Sequence, residues 1–357
     1  YLGQNIKIDQ LEMREFYQSW NLRDFNSNEF IDLCNSYDLI IIGGGNFFEL
    51  KWDYSYTGTT VNLSDVTLSR IKTPILFFGL GCDIGKGSNR STIKKFDNFL
   101  EMVTDSEQFM VTVRNDGSYE TIEKLYGSKY YNKVFKVADG AFFFKSDDIT
   151  NPVFTDNKRK KIGINVVCDM KSIRFNEEVT YNDFVSDFAY FLNDFIKDNK
   201  EYDLIFFPHI YSDLEAISNV INKIEDQVRR YRITVAPYMS GKGSDKYIFG
   251  LYKHCEVILG MRFHSNVCAI AQNIPTIALS SYKKIHDLYS DLDLLDRVVY
   301  VNEREFEINL QNSLNETLNN KTNIKQLYEK VNRKLANKND VFINELDRWL
   351  KMNKLFL

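Results

Sequence analysis

The chain has 357 residues, room for two domains at about 150 residues each. Hydrophobic residues make up 44% and charged residues 26%, the globular proportion, which excludes a disordered, collagen-like or disulfide-scaffold chain. With 45 Lys and Arg against 49 Asp and Glu the net charge is −4, so no basic excess is available for a phosphate backbone and a dedicated nucleic-acid binder is disfavoured.

Aromatic residues reach 14%, with 27 Phe and 21 Tyr. They supply a large core and rings able to stack on sugars. Five cysteines (Cys34, Cys82, Cys168, Cys255, Cys268) are scattered, without a C-x-x-C pair or zinc spacing. That is the pattern of a reducing compartment. The longest apolar runs, such as Leu39–Ile42 and Pro74–Phe78, are far too short to span a bilayer. No signal peptide is visible, but Tyr1 is not a methionine, which leaves targeting open.

In chain order, Asp38–Ile42 reads as a buried strand running into Gly43-Gly44-Gly45, and Pro74–Phe78 as another running into Gly79-Leu80-Gly81. Ile93, Phe96, Leu100 and Val103 then recur at helical spacing. Phe109–Val113 is a strand, and Ser118–Leu125 a helix stopped by Gly127. Val134–Val137 and Ala141–Phe144 close this half, a Rossmann-like domain expected over residues 1–150. The polar stretch Ser146–Lys161, with Pro152 and the run Lys158-Arg159-Lys160-Lys161, reads as a linker.

The alternation resumes in a second domain expected over residues 158–335. Lys161–Val167 is a strand, and Tyr181–Lys197 a helix with Phe184, Phe188, Phe191, Leu192 and Phe195 on its inner side. Leu204–Phe207 is a strand, Asp213–Val228 a helix and Ile233–Val235 a strand. Glu256–Leu259 and Thr276–Leu279 are strands with a helix from about Ser265 between them. The tail reads as two amphipathic helices, one with Ile324, Leu327, Val331 and Leu335, the other (338–357) with Phe342, Leu346, Trp349 and Leu350. Repeated strand–helix–strand units imply parallel sheets covered on both faces. The predicted fold is α/β, two Rossmann-like domains facing a cleft, with ligands at the carboxyl ends of the strands.

That rule points to Glu256–Lys284. A strand ends at Gly260, a turn presents Arg262 and His264, and Ser265 or Asn266 is placed to cap a small apolar helix. A strand's carboxyl end and a helix's amino end together favour an anion. Lys284, after the next strand, can converge with them on a ligand bearing phosphate and carboxylate. The bland alternative pairs Arg262 with a carboxylate and His264 with backbone. Phe109–Glu120 repeats the address in the first half, with Arg114 at the strand end and Asp116 or Ser118 as cap. Two arginines across a cleft suit a small dianion or trianion, whereas a surface Arg114–Asp116 pair would contribute little.

Gly43-Gly44-Gly45-Asn46 lets backbone approach a ligand, but it is no nucleotide fingerprint, and a tight turn explains it equally. His209 sits at another strand end, with Asp213 four residues on as a helix cap. His254 and His286 have no partner legible in the sequence. Neither a G-x-S-x-G elbow nor grouped metal ligands occur, so a serine hydrolase and a metal site are not expected.

On these residues the chain resembles the polysaccharide pyruvyl transferase family. The resemblance runs through Ile40-Ile41-Ile42-Gly43-Gly44-Gly45, Gly79-Leu80-Gly81, Val113-Arg114 to Ser118 and Ala138-Asp139. It is most specific in Gly260-Met261-Arg262-Phe263-His264, Ala269, Pro275 and Lys284. It implies a glycosyltransferase-B-like architecture with a C-terminal helix returning to the first domain. It also implies phosphoenolpyruvate as donor, a sugar of a cell-surface polysaccharide or its precursor as acceptor, and no cofactor. The family's Arg, His and Lys map onto Arg114, His264 and Lys284. Arg262, Phe263, Gly44, Gly45, Asn46, Ser118 and His209 are expected around the substrates. A cytoplasmic protein follows, at the inner face of the membrane where the acceptor is lipid-linked.

The departures are local. Asn115 stands where the family usually has Asp, with Asp116 placed to compensate, and Gly140 stands where Pro is common. The family's glycine- and aspartate-bearing first strand is not recognisable before residue 38. Two rivals remain: a sugar-nucleotide-dependent glycosyltransferase of the same architecture, and a non-catalytic glycan-binding protein.

Overall fold

Short apolar runs that end in glycine or a polar turn become parallel strands, and the segments between them become helices whose apolar stripes cover the sheets. The computed structural model describes residues 6–18, 21–150 and 158–355. The chain forms two compact units, one ending at Asp139 and completed from Ala336 onward, the other Gly140–Leu335.

The first unit contains α1 (Asn28–Asn35), β1 (Ile40–Gly43), β2 (Phe48–Glu49), α2 (Asp65–Arg70), β3 (Ile75–Leu80) and β4 (Cys82–Asp83). It continues through α3 (Arg90–Thr104), β5 (Phe109–Arg114), α4 (Ser118–Tyr126) and β6 (Val134–Val137). The main sheet has the order β1-β3-β5-β6, all parallel, with β2 and β4 forming a small ladder of their own. Ile42 pairs with Phe77 in register. The core packs Phe48, Phe77, Phe96, Phe99 and Val111 together. Asn89 and Thr92 close a reciprocal cap on α3, satisfying amide groups that the helix leaves open.

The second unit begins with β7 (Lys160–Asn165), α5 (Lys171–Arg174), α6 (Tyr181–Asp198) and β8 (Tyr202–Phe206). α7 (Tyr211–Ile221), α8 (Asp226–Tyr231), β9 (Ile233–Val235) and α9 (Ser244–Leu251) follow. Then come β10 (Val257–Gly260), α10 (Phe263–Ala271), β11 (Thr276–Ser280), α11 (Lys283–Asp291), β12 (Val298–Tyr300), α12 (Phe306–Asn319) and α13 (Lys321–Met352). The sheet order is β12-β11-β10-β7-β8-β9, again parallel. The chain starts in the middle of the sheet, winds outward to β9, and returns to build the other side from β10. The order therefore reverses between β7 and β10, and a doubly wound sheet binds ligands beyond the strand ends at such a reversal.

Three expectations are corrected. The helix expected over Asp213–Val228 is two, α7 and α8. Asn222 caps the first, and the Glu225 amide is drawn to Asn193 Oδ1 at 3.0 Å, a tertiary bond that composition cannot show. Ala141–Phe144 does not close the first half. It lies in a 3-10 turn, Gly140–Phe143, counted in the second unit. The stretch after it is also anchored there: Phe144 packs edge-on to Phe249, Ser146 Oγ donates to Gln272 at 2.7 Å, and the His254 ring bonds Ile149 O at 2.7 Å. The polar stretch expected as a linker thus begins inside the second unit, and 151–157 of it lies outside the described residues.

The tail, read as two helices, is the single helix α13. Its apolar stripe pauses over residues 336–341, which are mostly exposed, yet that segment carries Ala, Lys and Asn without Gly or Pro, and the backbone ladder runs through. Beyond the pause, Phe342, Trp349 and Leu350 pack on Leu76, Met110 and Val137, and Trp349 Nε1 donates to Glu107 O at 2.8 Å. Each such side chain contributes about 1.5–3 kcal/mol on burial. The C-terminal helix therefore returns to the first unit.

Candidate active site

β5 delivers Arg114 to the carboxyl end of the first sheet. Gly117, at φ 85°, makes the turn into α4, so neither Asp116 nor Ser118 caps that helix. A left-handed residue is needed there and glycine adopts it without strain. Asp116 is instead committed to Arg114: its Oδ2 accepts Arg114 Nε at 2.6 Å, and its Oδ1 accepts the Ser118 hydroxyl. Arg114 Nη1 donates to Asp139 Oδ2 at 3.3 Å, and Asn115 Oδ1 accepts the Asp139 amide at 3.0 Å. Asp116 thus supplies the carboxylate that Asn115 lacks.

Arg114 is only 5% exposed, so this is a buried network and not a surface pair. Burial alone would lower the guanidinium's proton affinity, but Asp116 and Asp139 outweigh it and hold the group above its ordinary value. Ser118, expected beside substrate, is fully buried and takes the Cys82 amide at 2.6 Å. It serves the turn. At the end of β1, Gly44 has φ 82° and donates to Phe78 O at 3.2 Å, while Gly45 O accepts the Gly81 amide at 2.9 Å. Asn46 Nδ2 reaches Glu49 at 3.3 Å and Asp83 at 3.4 Å.

The second unit assembles a larger group. Asn165, at the end of β7, is fully buried and accepts the Arg262 amide at 2.9 Å while donating to Phe207 O at 2.9 Å. It ties three strand ends together. α10 begins at Phe263, earlier than expected, and the two residues expected to cap it are buried in its first turn. Ser265 Oγ bonds the Tyr252 hydroxyl at 3.0 Å, and Asn266 Nδ2 donates back to Gly260 O and Arg262 O. Neither α10 nor α11 has a side-chain cap, so the positive ends of both helix dipoles stand at this edge.

Arg262 Nε donates to both Asp213 oxygens at 2.9 and 2.8 Å, and Nη2 donates to Asp213 Oδ1 and, at 3.1 Å, to Asp169 Oδ1. Asp213 is fully buried and also accepts the His209 and Ile210 amides, so the capping role read from sequence holds. Arg174, at the end of α5, is 7% exposed. Its Nε donates to Asp169 O at 3.1 Å and its Nη1 to Ser281 Oγ at 3.3 Å, with the guanidinium 5.8 Å from the Tyr282 ring. Burial lowers its proton affinity, Asp169 opposes that, and Arg262 adds to it.

His264 is exposed in the first turn of α10, its ring edge-on to Phe263 at 5.4 Å. Lys284 is half-buried in the first turn of α11. The His209 ring bonds the Tyr252 hydroxyl at 2.7 Å and packs on Phe249 at 5.1 Å. Burial pushes its pKa down to about 3; Asp213 opposes the shift, and Arg262 and His264 reinforce it. His209 is therefore a neutral ring at this edge. Of the expected residues, Arg262, Phe263, His264, Lys284 and His209 share the carboxyl edge of the second sheet, while Arg114, Ser118, Gly44, Gly45 and Asn46 belong to the first unit. Sequence reasoning missed Asn165, Asp169 and Arg174, and saw Asp213 only as a cap.

Two parallel, doubly covered Rossmann-like units with a C-terminal helix on the first define the glycosyltransferase-B fold class. Solved structures agree. An alpha,alpha-trehalose 6-phosphate synthase from Burkholderia multivorans matches with a TM-score of 0.52 at 12% identity, covering 91% of this chain and 73% of that one. A glycosyltransferase from Rickettsia africae matches with a TM-score of 0.50 at 10% identity, covering 80% and 72%. At such identities the likeness is one of fold. A comparison with curated proteins gives no match. Residues 2–282 match the profile of the polysaccharide pyruvyl transferase family, and the chain belongs to that family, one of transferases acting on polysaccharide. Among the described residues no helix is long and apolar enough to cross a membrane.

Proposed function

We propose that the protein transfers the pyruvyl group of phosphoenolpyruvate onto a sugar of a cell-surface polysaccharide or its precursor, forming a ketal. The observation that carries this reading is the place of Arg262-Phe263-His264. The triplet stands beyond the strand ends where the sheet order reverses, at an uncapped helix start, with Lys284 on the next helix start. A donor with a phosphate and a carboxylate needs several cations at fixed spacing, and this edge gathers them.

In this mechanism His264 gives a proton to the donor's methylene carbon, and positive charge develops at C2. An imidazole can give and take protons near neutral pH. One sugar hydroxyl attacks C2 and returns its proton to His264. A second hydroxyl of the same sugar then displaces phosphate and closes the ring, its proton leaving with the phosphate. Arg262 holds a charged end of the donor, and Lys284 stabilises the departing phosphate. Donor and diol are thereby converted to ketal and inorganic phosphate with no redox change.

The test is incubation with phosphoenolpyruvate and a panel of galactosides and N-acetylhexosaminides, reading phosphate release and product mass. A parallel thermal-shift series uses sugar nucleotides. Phosphate release coupled to a pyruvylated sugar is expected. No release with any acceptor, together with stabilisation by a sugar nucleotide, would replace this reading with a glycosyltransferase.

A further inference from the structure

After Asn165 the chain leaves the second sheet and turns at Met170, whose φ of 54° lies in the left-handed region. The turn brings α5 back on the residues before it: the Arg174 amide donates to Met170 O at 3.0 Å, and Arg174 Nε donates to Asp169 O. One carboxylate thereby stands between two guanidiniums. Asp169 Oδ1 accepts Arg262 Nη2 at 3.1 Å, and Asp169 Oδ2 lies 3.6 Å from Arg174 Nη2. This happens at the reversal between β7 and β10, where a doubly wound sheet takes its ligand.

The two aspartates around Arg262 differ in kind. Asp213 is fully buried and fixed by two backbone amides as well as by the guanidinium. The Asp169 side chain is 31% exposed, and among the described residues its carboxylate meets only arginine. Both arginines also keep capacity in reserve. Among the described residues neither Arg262 Nη1 nor Arg174 Nη2 makes a hydrogen bond. A planar carboxylate with one oxygen toward each guanidinium is how two arginines share a carboxylate ligand.

We propose that the Asp169 side chain stands in for the donor's carboxylate, which displaces it and binds between Arg262 and Arg174, making Arg174 a donor-binding residue. This rests on the phosphoenolpyruvate reading above and names the end of the donor that this edge holds. Entry of the ligand exchanges one carboxylate for another, so the arginines are never left without a counter-charge. Asp169 competes with ligand, and its removal strengthens binding.

The experiment measures binding of pyruvate, inorganic phosphate and phosphoenolpyruvate by calorimetry, with turnover alongside, for the wild type, Asp169→Asn, Arg174→Gln and Arg174→Lys. Asp169→Asn should tighten pyruvate and phosphoenolpyruvate several-fold, while Arg174→Gln should weaken both by about 10- to 100-fold. Inorganic phosphate should respond to neither. Arg174→Lys, which keeps the charge and loses the fork, should fall between, and it carries this arm if the Gln variant does not fold. Weaker or unchanged pyruvate binding in folded Asp169→Asn overturns the proposal, because a structural ion pair loses affinity when broken. A gain for phosphate and not for pyruvate overturns the carboxylate assignment. Unchanged anion binding in every variant with wild-type turnover intact sinks this inference and leaves the proposed function standing. Opposite-signed effects on pyruvate without any phosphoenolpyruvate turnover do the reverse.

Discussion

Arg114 and Arg262 hold the same address, one at the carboxyl end of β5 and the other just past β10, each before a helix and each beside two aspartates. What differs is where the carboxylates sit. Asp116 and Asp139 are both buried and tied to Ser118 and Asn115, so Arg114 lies inside a buried network. Around Arg262 only Asp213 is buried, and Asp169 remains partly open to solvent. One sequence pattern thus gives a closed structural knot in one unit and a partly open charge cluster in the other. The distinction lies in the second partner and not in the arginine.

The strongest way to break that comparison is Arg114→Ala. It takes the guanidinium away from two buried carboxylates, and breaking a buried pair typically costs about 3–5 kcal/mol, a large part of a domain's total stability. Urea unfolding of the variant should show this loss directly. A variant that keeps its stability yet loses phosphoenolpyruvate binding would move Arg114 from the knot to the donor. His264→Gln tests the other pole. His264 is exposed, so stability should change by less than about 0.5 kcal/mol. Turnover should fall by about 100- to 10,000-fold with donor binding retained. Survival of turnover within a few-fold would leave His264 as a positioning residue only.

Arg262→Lys lies between the two. It keeps the charge but gives up the three-point contact with Asp213 and the reach to Asp169. Donor affinity should weaken by about 1.5–3 kcal/mol, read by calorimetry, with only a modest change in melting temperature. Equal affinity in a folded variant would remove Arg262 from the donor site.

The longer strands were legible because they are runs of four to six residues, mostly apolar, as in Ile40–Gly43 and Val257–Gly260, which end at Gly. The addresses of Arg262, His264 and Lys284 followed from strand ends and helix starts. Their partners did not. Asp169 and Asp213 lie 93 and 49 residues from Arg262, and α5 is a four-residue helix with no periodicity to detect. Ser118, Ser265 and Asn266 were misjudged for a related reason. A small polar residue near a helix start satisfies either that helix or a neighbouring strand, and only the packing decides. The break between the units was misplaced because Phe144, Ser146 and Ile149 look like linker in composition but are held by Phe249, Gln272 and His254.

The smallest expected effect is a pH dependence that separates the two units. All four histidines, His209, His254, His264 and His286, lie within Gly140–Leu335, and the first unit has none. At His209, burial pushes the pKa down to about 3. In the unfolded chain a histidine takes up its proton near pH 6.5. The unfolded state therefore binds more protons than the folded state between those values, and stability falls as pH falls through that window. The slope for one proton is at most about 1.4 kcal/mol per pH unit. The contribution is complete above about pH 6.5 and declines progressively toward pH 3. Between pH 6.5 and 5.5 the second unit should lose up to about 1 kcal/mol through this residue, seen as faster amide exchange over Gly140–Leu335 after correction for intrinsic rates. His209→Gln should flatten the dependence. A dependence that persists unchanged in His209→Gln would mean that the His209 ring is not the neutral group packed between Tyr252 and Phe249.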